Sequence, residues 1–299
     1  MLNILILDEK YEKYEDSVSY SDYISEKDNV GIFLITSPGY ISAKDKANCI
    51  ECVEVEHPIS NGMVEVVALE LHRKYGIDRV YTNQEEFILR AANIRAMLGL
   101  KLGMRIQDAL YFRDKLLMKQ TCRAGGCPVP EFAQIYSPAD ILTFTEKFGF
   151  PCIIKPTLSC GSLGIRVLKD LGDCHDYLKN EFFAKRTDQE LDCPGDWIIE
   201  SFVNGVMYHV NGYARNGVLE YVWPFAYKNT NLLFTSGEEY GNVSIPTADA
   251  RHAPLVAATE KILSALKCPD HLVFHCELFA YENKYLLCEI AARKPGMYY

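Results

Sequence analysis

The spacing of apolar positions changes along this chain, and each change marks an element. Residues 2–7 (LNILIL) form a short, unbroken apolar run of the kind that makes a buried strand. GIFLI at 31–35 repeats that signal after a polar stretch. Over 63–75 the apolar residues Val64, Val67, Leu69 and Leu71 fall at helical spacing and the segment ends on basic residues, so a helix is expected. GIDRVYT at 76–82 predicts a turn and a strand, and 84–100 a second amphipathic helix stopped near Gly99. Strands alternating with helices predict a parallel sheet for this part of the chain.

Near residue 105 the pattern shifts. Residues 108–126 predict one helix closed by Gly125-Gly126, and PVPEFAQIY an extended segment. SPADILTFTEKFG then predicts a helix with Ser137 at the N-cap and Pro138 at the first helical position. PCIIKP (151–156) and GIRVLKD (164–170) predict two strands around a loop of small residues. WIIESFV (197–203), MYHVNGYAR (207–215) and GVLEYVWPFA (217–226) predict antiparallel strands, the last two joined at Asn216-Gly217, a strong hairpin signal. The polar stretch 228–242 predicts a long loop, 251–267 a helix, and HLVFHCELFAY with KYLLCEIAAR a closing hairpin.

Composition narrows the functional classes. A length of 299 residues suggests two or three domains. With 31 basic and 40 acidic residues the net charge is −9, which argues against a nucleic-acid partner. No run of 18 apolar residues occurs, so no membrane span is expected, and the first residues lack the basic start of a signal peptide. Eleven scattered cysteines follow no disulfide framework, which fits reduced thiols in a cytoplasmic protein. Cys49 and Cys52 form a CxxC without the helix or second ligand pair that redox and zinc sites use. Walker-type, GxGxxG, HExxH and G-x-S-x-G motifs are absent.

The chemistry-bearing positions lie in the second half. Glu277 and Glu289 are symmetric about Asn283. A three-residue turn at Glu282, Asn283 and Lys284 pairs 281 with 285, 279 with 287 and 277 with 289, setting the two carboxylates opposite one another. Like charges so placed are destabilising. They suit a shared cation whose shell is completed by phosphate oxygens, or else a strand face whose charges are solvated. Leu278, Cys288 and Ile290 turn the other way, toward a core. Ala291 and Arg293 share the face of Glu289, and a guanidinium there would hold a phosphate or serve as counter-ion. Lys155 ends an apolar strand and wants a fixed anion. The loop after it offers Ser159, Gly161, Ser162 and Gly164, either a flap over phosphates or a plain hairpin turn. Lys115 and Lys119 stand one turn apart upstream, each within reach of a nucleotide or solvated. Glu200 ends another apolar strand, followed by Phe202 and Val203, where backbone groups would read an adenine edge or simply enter a turn.

Taken in order, these segments resemble the ATP-grasp superfamily, in its carboxylate–amine or carboxylate–thiol ligase branch. RDKLLMKQTCRAGGCPVPEF resembles its helix and turn before the lid, FPCIIKPTLSCGSLGIRVLKD its lysine strand and flap, and WIIESFVNG its adenine-linking strand. FHCELF and LLCEIAARKPG resemble its paired metal-binding strands, and the likeness runs over about residues 75–297. It implies an α/β fold with a parallel pre-ATP domain at 1–112, a lid subdomain at 113–196 and an antiparallel C-terminal subdomain at 197–299. It implies ATP with Mg²⁺ (or Mn²⁺), Lys115 and Lys155 on the phosphates, and Ser159, Gly161, Ser162 and Gly164 over them. Glu200, Phe202 and Val203 would border the adenine, Glu277 and Glu289 would bind the metal, and Arg293 with Lys155 would act on the transferred phosphate. The implied reaction turns a carboxylate, that of an amino acid or peptide-like acid, into an acyl phosphate that an amine or thiol then attacks. Arg215, Lys228 and the loop 229–242 are substrate candidates by position alone.

Three departures qualify the likeness. Ala291 stands where the pattern has an asparagine that assists a second metal. Met207 stands near the ribose carboxylate's position, with His209 either a substitute donor or a satisfied strand histidine. The chain ends six residues after Arg293, where relatives continue, so the expectation is a shortened chain or a site that a partner completes. MYHVNG and EIAARKPG resemble antibiotic-pathway ligases that load an amino acid onto an acyl carrier protein. Ala291 and the early end also allow a non-catalytic ATP-binding or regulatory module, and the resemblance implies a homodimer through the N-terminal domain.

Overall fold

The computed structural model of the protein describes residues 1–8, 20, 28–183, 196–229 and 241–295. The chain forms two compact units, Met1–Ala109 and Leu110–Tyr299. In the first, β1 (Leu2–Leu7), β2 (Val30–Thr36), α1 (Ala43–Asn48), β3 (Glu51–Glu54), α2 (Met63–Tyr75), β4 (Arg79–Thr82) and α3 (Ile88–Met97) follow in order. The sheet is parallel, in the order β3-β2-β1-β4, as the alternation of strands and helices predicts. Period two divides β1 and β2 between two faces. Leu5, Leu7, Phe33 and Ile35 bury themselves against Val64, Ala68, Leu71, Ala91 and Ile94 of α2 and α3, while Ile6, Ile32 and Leu34 form a smaller cluster.

The helix expected over 84–100 is preceded by a separate 3₁₀ turn, Glu85–Phe87. α1 and β3 have no signal in the pattern, because six and four residues are too few to show a period. α1 is held by a capping box in which the Asp45 N–H donates to Ser42 Oγ at 3.0 Å. It ends at its C-cap Cys49, and Cys52 lies in β3, so neither cysteine sits at the helix N-terminus that activates a redox thiol. Among the described residues no group of three or more His, Cys, Asp or Glu is placed to hold a metal.

After α4 (Ile106–Leu110), the second unit contains α5 (Lys115–Ala124), β5 (Phe132–Ile135), α6 (Pro138–Phe148), β6 (Cys152–Pro156), β7 (Arg166–Leu168), α7 (Leu171–Asn180) and β8 (Trp197–Ser201). It continues with β9 (Val206–Arg215), β10 (Val218–Tyr227), β11 (Asn242–Ser244), α8 (His252–Ala265), β12 (His271–Tyr281) and β13 (Lys284–Ala291). Two antiparallel sheets result, β5-β8-β6-β7 and β11-β10-β9-β12-β13. Of the loop expected over 228–242, residues 230–240 lie outside the described residues, and Asn242 already belongs to β11.

The single helix expected over 108–126 is two. Asp114 leaves the helical region at φ −83°, ψ 105°, and its carboxylate accepts the N–H groups of Leu116 and Leu117 at 2.9 and 3.1 Å. This N-cap makes Lys115 the first residue of α5. α6 starts as its sequence predicts, with Ser137 and Asp140 in a capping box and Pro138 in the first turn. Asn216 and Gly217 take φ of 51° and 79°, the left-handed pair that a two-residue hairpin turn demands.

In the four-stranded sheet, Ile135, Cys152, Ile154, Leu168 and Ile199 pack with Ile141 and Phe144 of α6 and Cys174 and Tyr177 of α7. By alternation Lys155 and Glu200 project from the opposite face. In the five-stranded sheet α8 covers the face of Cys276, whose thiol meets Thr259. That leaves Glu277 on the face opposite α8. β9 enters at Gly205, where a Cβ would lie 2.3 Å from the Ala280 carbonyl oxygen. Gly205→Ala should therefore cost about 1–3 kcal/mol through forced displacement of β12. The expected reading is a lower urea midpoint with an unchanged m value; an unchanged midpoint would mean that the backbone yields freely.

Candidate active site

The two acidic strands meet as opposed carboxylates, but by a different route from the one expected. Glu282 and Asn283, at φ 47° and 60°, make a two-residue turn, so Tyr281 pairs with Lys284 and Phe279 with Leu286. Continued regularly, that register would send Glu289 to the core side. A bulge intervenes: Leu278 pairs with Leu287, and the next pair is Glu277 with Glu289, leaving Cys288 as the extra residue. The slip restores the two glutamates to one face.

Glu277 is buried within a network the sequence did not announce. Tyr227 donates its hydroxyl to Glu277 Oε1 at 2.7 Å, His275 Nε2 lies 3.3 Å from the same oxygen, and His275 Nδ1 meets Asn211 Oδ1 at 2.7 Å. His275 was findable, since it precedes Glu277 by one strand period. Tyr227 and Asn211 were not, since only the register of β9 with β10 and β12 brings them there. His209 is the ladder partner of Glu277, stacks on Phe225 at 4.9 Å and donates Nε2 to Asn242 Oδ1 at 2.9 Å. Burial, with the neighbouring His275, pushes its pKa down to about 4, so the imidazole is neutral at pH 7.

Lys115 pairs with one glutamate, and Lys119 and Lys155 share another. Lys115 Nζ lies 3.2 Å from Glu289 Oε2 and donates to the Ser159 carbonyl. The Lys115 N–H donates to Thr157 O at 3.0 Å and Arg113 donates to Leu158 O, so the start of α5 pins the root of the loop 157–164. Lys155 Nζ sits 3.0 Å from Glu200 Oε2, and Lys119 Nζ 3.3 Å from Glu200 Oε1. All three side chains are buried. Burial alone would raise the Glu200 carboxyl; its ion pairs and hydrogen bonds with the two ammoniums outweigh that and hold it below its usual range. For Lys155 burial pulls downward, and Glu200, Cys288 and Glu289 together raise it above the ordinary lysine value. For Lys119 burial prevails and the value falls.

In the loop, Gly161, Ser162 and Gly164 take left-handed φ of 58°, 61° and 73°. A Cβ at Gly161 would meet nothing within 4 Å, so the glycine serves conformation and not space. Ser162 holds such a conformation at a steric cost, a feature that gathers at ligand clamps. Ser159 is buried and donates Oγ to Pro156 O at 3.2 Å, which anchors the loop root. Phe202 and Val203 follow β8 half-buried, and the Phe202 N–H is used by Pro151 O at 3.1 Å. Arg293 falls two residues beyond β13, in a bend, and donates to Lys294 O at 2.8 Å; Lys115 is a cation that lies beside Glu289. Ala291 pairs with His275 and is buried. The thiols of Cys122, Cys152 and Cys288 are pushed up to about 12 by burial, which leaves them poor nucleophiles.

Opposed carboxylates, paired lysines and a small-residue loop therefore come together within one unit of two antiparallel sheets. The ATP-grasp domain model matches residues 148–298, half of the chain, and the protein belongs to that family. Among curated proteins it is 28% identical over 303 residues to the L-arginine-specific L-amino acid ligase of Bacillus subtilis, covering 99% of this chain and 70% of that protein. It is 27% identical over 193 residues to the alanine–anticapsin ligase of Bacillus subtilis (strain 168), covering 57% of this chain and 40% of that enzyme. In fold it matches the L-amino acid ligase from Bacillus licheniformis with a TM-score of 0.74 at 17% identity, over 99% of this chain and 68% of that one. It also matches the N5-carboxyaminoimidazole synthetase from Staphylococcus aureus complexed with ADP, with a TM-score of 0.70 at 16% identity, over 99% and 71% of the two chains. The chain thus spans about 70% of the arginine ligase and less than half of the anticapsin ligase.

Proposed function

We propose that the protein is an ATP- and Mg²⁺-dependent amino-acid ligase that activates a carboxylate as an acyl phosphate and passes the acyl group to an amine. The observation that carries this reading is the bulged β12–β13 ladder, which sets Glu277 and Glu289 opposite each other, with Lys115 beside Glu289. A pair of opposed, largely buried carboxylates needs a cation, and two carboxylates with phosphate oxygens make the hard donor set that Mg²⁺ favours. Bound there, the ion would neutralise phosphate charge during transfer.

In this reading the chain's own groups position and neutralise. Lys155 stands over the phosphates and is kept charged by Glu200; Lys115 bridges the loop root and Glu289; Gly161, Ser162 and Gly164 cover the nucleotide, and Phe202 and Val203 border its base. Arg293 turns toward the transferred phosphate. A carboxylate oxygen of the acid attacks the terminal phosphorus, ADP leaves, and the acyl phosphate forms. An amine then attacks the acyl carbon, phosphate departs, and the amine loses a proton as the amide forms. No enzyme nucleophile is required, which accords with the raised thiols. Relatives named for amino-acid ligation support an amine acceptor ahead of a carrier-protein thiol. Among the described residues no helix is long and apolar enough to cross a membrane.

The test is incubation with ATP, Mg²⁺ and pooled amino acids, with and without hydroxylamine, reading ADP and product mass. ADP release that depends on an amino acid, with a hydroxamate when hydroxylamine is present, is the expected result. Nucleotide binding with no turnover on any acid would favour instead an ATP-binding module, the reading that buried Ala291 in place of a metal-assisting asparagine supports.

A further inference from the structure

The two lysines of α5 do different work. Lys119 is fully buried, and its ammonium faces the carbonyls of Leu287 at 3.0 Å and Cys288 at 2.9 Å and the Glu200 carboxylate at 3.3 Å. An ammonium has three hydrogens to donate, and here three protein oxygens surround it. Two of its hydrogens go to the carbonyls, and the Glu200 carboxylate lies against it as an ion partner. The two carbonyls it holds belong to the residues at which the β12–β13 ladder slips. A bulge turns backbone groups out of the ladder, and buried ones must find another partner.

The geometry points to Lys119 as a positioning residue that holds the Cys288 bulge and thereby keeps Glu289 on the same face as Glu277. This inference rests on the reading of those glutamates as metal ligands. The argument is one of register. The turn at Glu282-Asn283 sets Leu278 against Leu287, and an unbroken ladder from there would oppose Glu277 to Cys288 and Glu289 to Cys276. Cys276 lies on the face covered by α8, so Glu289 would be driven into the core. One extra residue reverses this. Lys119 supplies the bulge with donors and, through Glu200, ties it to the strand that holds Lys155.

The experiment measures Mn²⁺ binding by electron paramagnetic resonance, in the presence of a non-hydrolysable ATP analogue, for the wild-type chain, Lys119→Gln and Lys119→Met. Analogue affinity without metal and thermal unfolding are measured alongside. For a partner outside the metal's own ligands, a loss of about 10- to 100-fold in metal affinity is expected. Metal-free analogue affinity should stay within about 2-fold, since the phosphates do not meet Lys119. A folded variant with wild-type Mn²⁺ affinity would overturn the proposal. So would a parallel loss of metal-free nucleotide binding, which would make Lys119 a nucleotide ligand. If the glutamines or methionines prevent folding, deletion of Cys288 gives the decision: removing the bulge residue should abolish Mn²⁺ binding, and retained binding overturns the role. Failure of all three variants to fold would assign Lys119 to the core alone. If wild type with the analogue binds no Mn²⁺, the ligand reading of Glu277 and Glu289 itself falls.

Discussion

Glu289→Gln should lower amino-acid-dependent ADP release by about 10³-fold while leaving the fold as stable as before. The rate term follows from the charge the metal supplies at a phosphoryl group, worth several kcal/mol, and about 4 kcal/mol corresponds to three decades in rate. The stability term has the opposite sign. Glu277 and Glu289 are directly opposed in the ladder, and without a cation like charges so placed cost about 0.2–1 kcal/mol. Replacing one by its neutral isostere removes that repulsion; losing the partner of Lys115 at 3.2 Å offsets part of the gain. Turnover and the melting temperature should therefore separate, the first collapsing and the second unchanged or slightly higher. Paired measurements of ADP release and thermal unfolding decide it. A clear fall in melting temperature with turnover intact would return Glu289 to a purely structural place. Glu277→Gln should behave alike in rate, with the amide oxygen still able to accept from Tyr227.

Glu200→Gln should produce the reverse separation, with stability as the main casualty. Glu200 lies between the buried ammoniums of Lys119 and Lys155 and pairs with both. Removing it leaves two buried cations without their shared counter-charge, and breaking a buried pair in this way costs about 3–5 kcal/mol. For a unit of this size each kcal/mol lowers the melting temperature by about 2–4 °C. The pH dependence gives an independent check. Burial would raise this carboxyl, but Lys119 and Lys155 hold it below its ordinary value of 4.5. Stability from a group with a depressed folded pKa is present above the unfolded value and lost as pH falls through the folded one. The gap between wild type and Glu200→Gln should thus be constant near neutrality and shrink as the pH drops below about 4.5. A gap that stays constant from neutral to strongly acidic pH would show that the carboxylate's charge is not what stabilises the site.

Much of the architecture was legible because its signals are local. Residues 63–75 formed the helix their spacing predicts, and Ser137, Pro138 and Asp140 started α6 where the capping pattern places it. Asn216-Gly217 turned the β9–β10 hairpin because few other pairs accept two left-handed residues in succession. The misses were local conflicts or elements too short to show a period. Residues 108–126 look continuous in hydrophobic spacing, yet the Asp114 cap breaks them, since its side chain satisfies the N–H groups that a longer helix would have paired internally. α1 and β3 are shorter than the window in which a period becomes visible.

The sequence by itself determined which residues carry charge into apolar strands: Lys155, Glu200, Glu277 and Glu289 are conspicuous in any reading, because ionised groups are expensive where everything around them is buried. Only the tertiary structure decided how those charges meet. Two changes to the expected hairpin, a turn one residue shorter and an extra residue at Cys288, cancel, so the expected pairing of Glu277 with Glu289 emerged from a register the chain does not adopt. The donor that meets the bulge carbonyls is Lys119, 168 residues from Leu287 in sequence. No local pattern can encode that contact, because the partner for the bulge's buried carbonyls arrives only when α5 packs against β13.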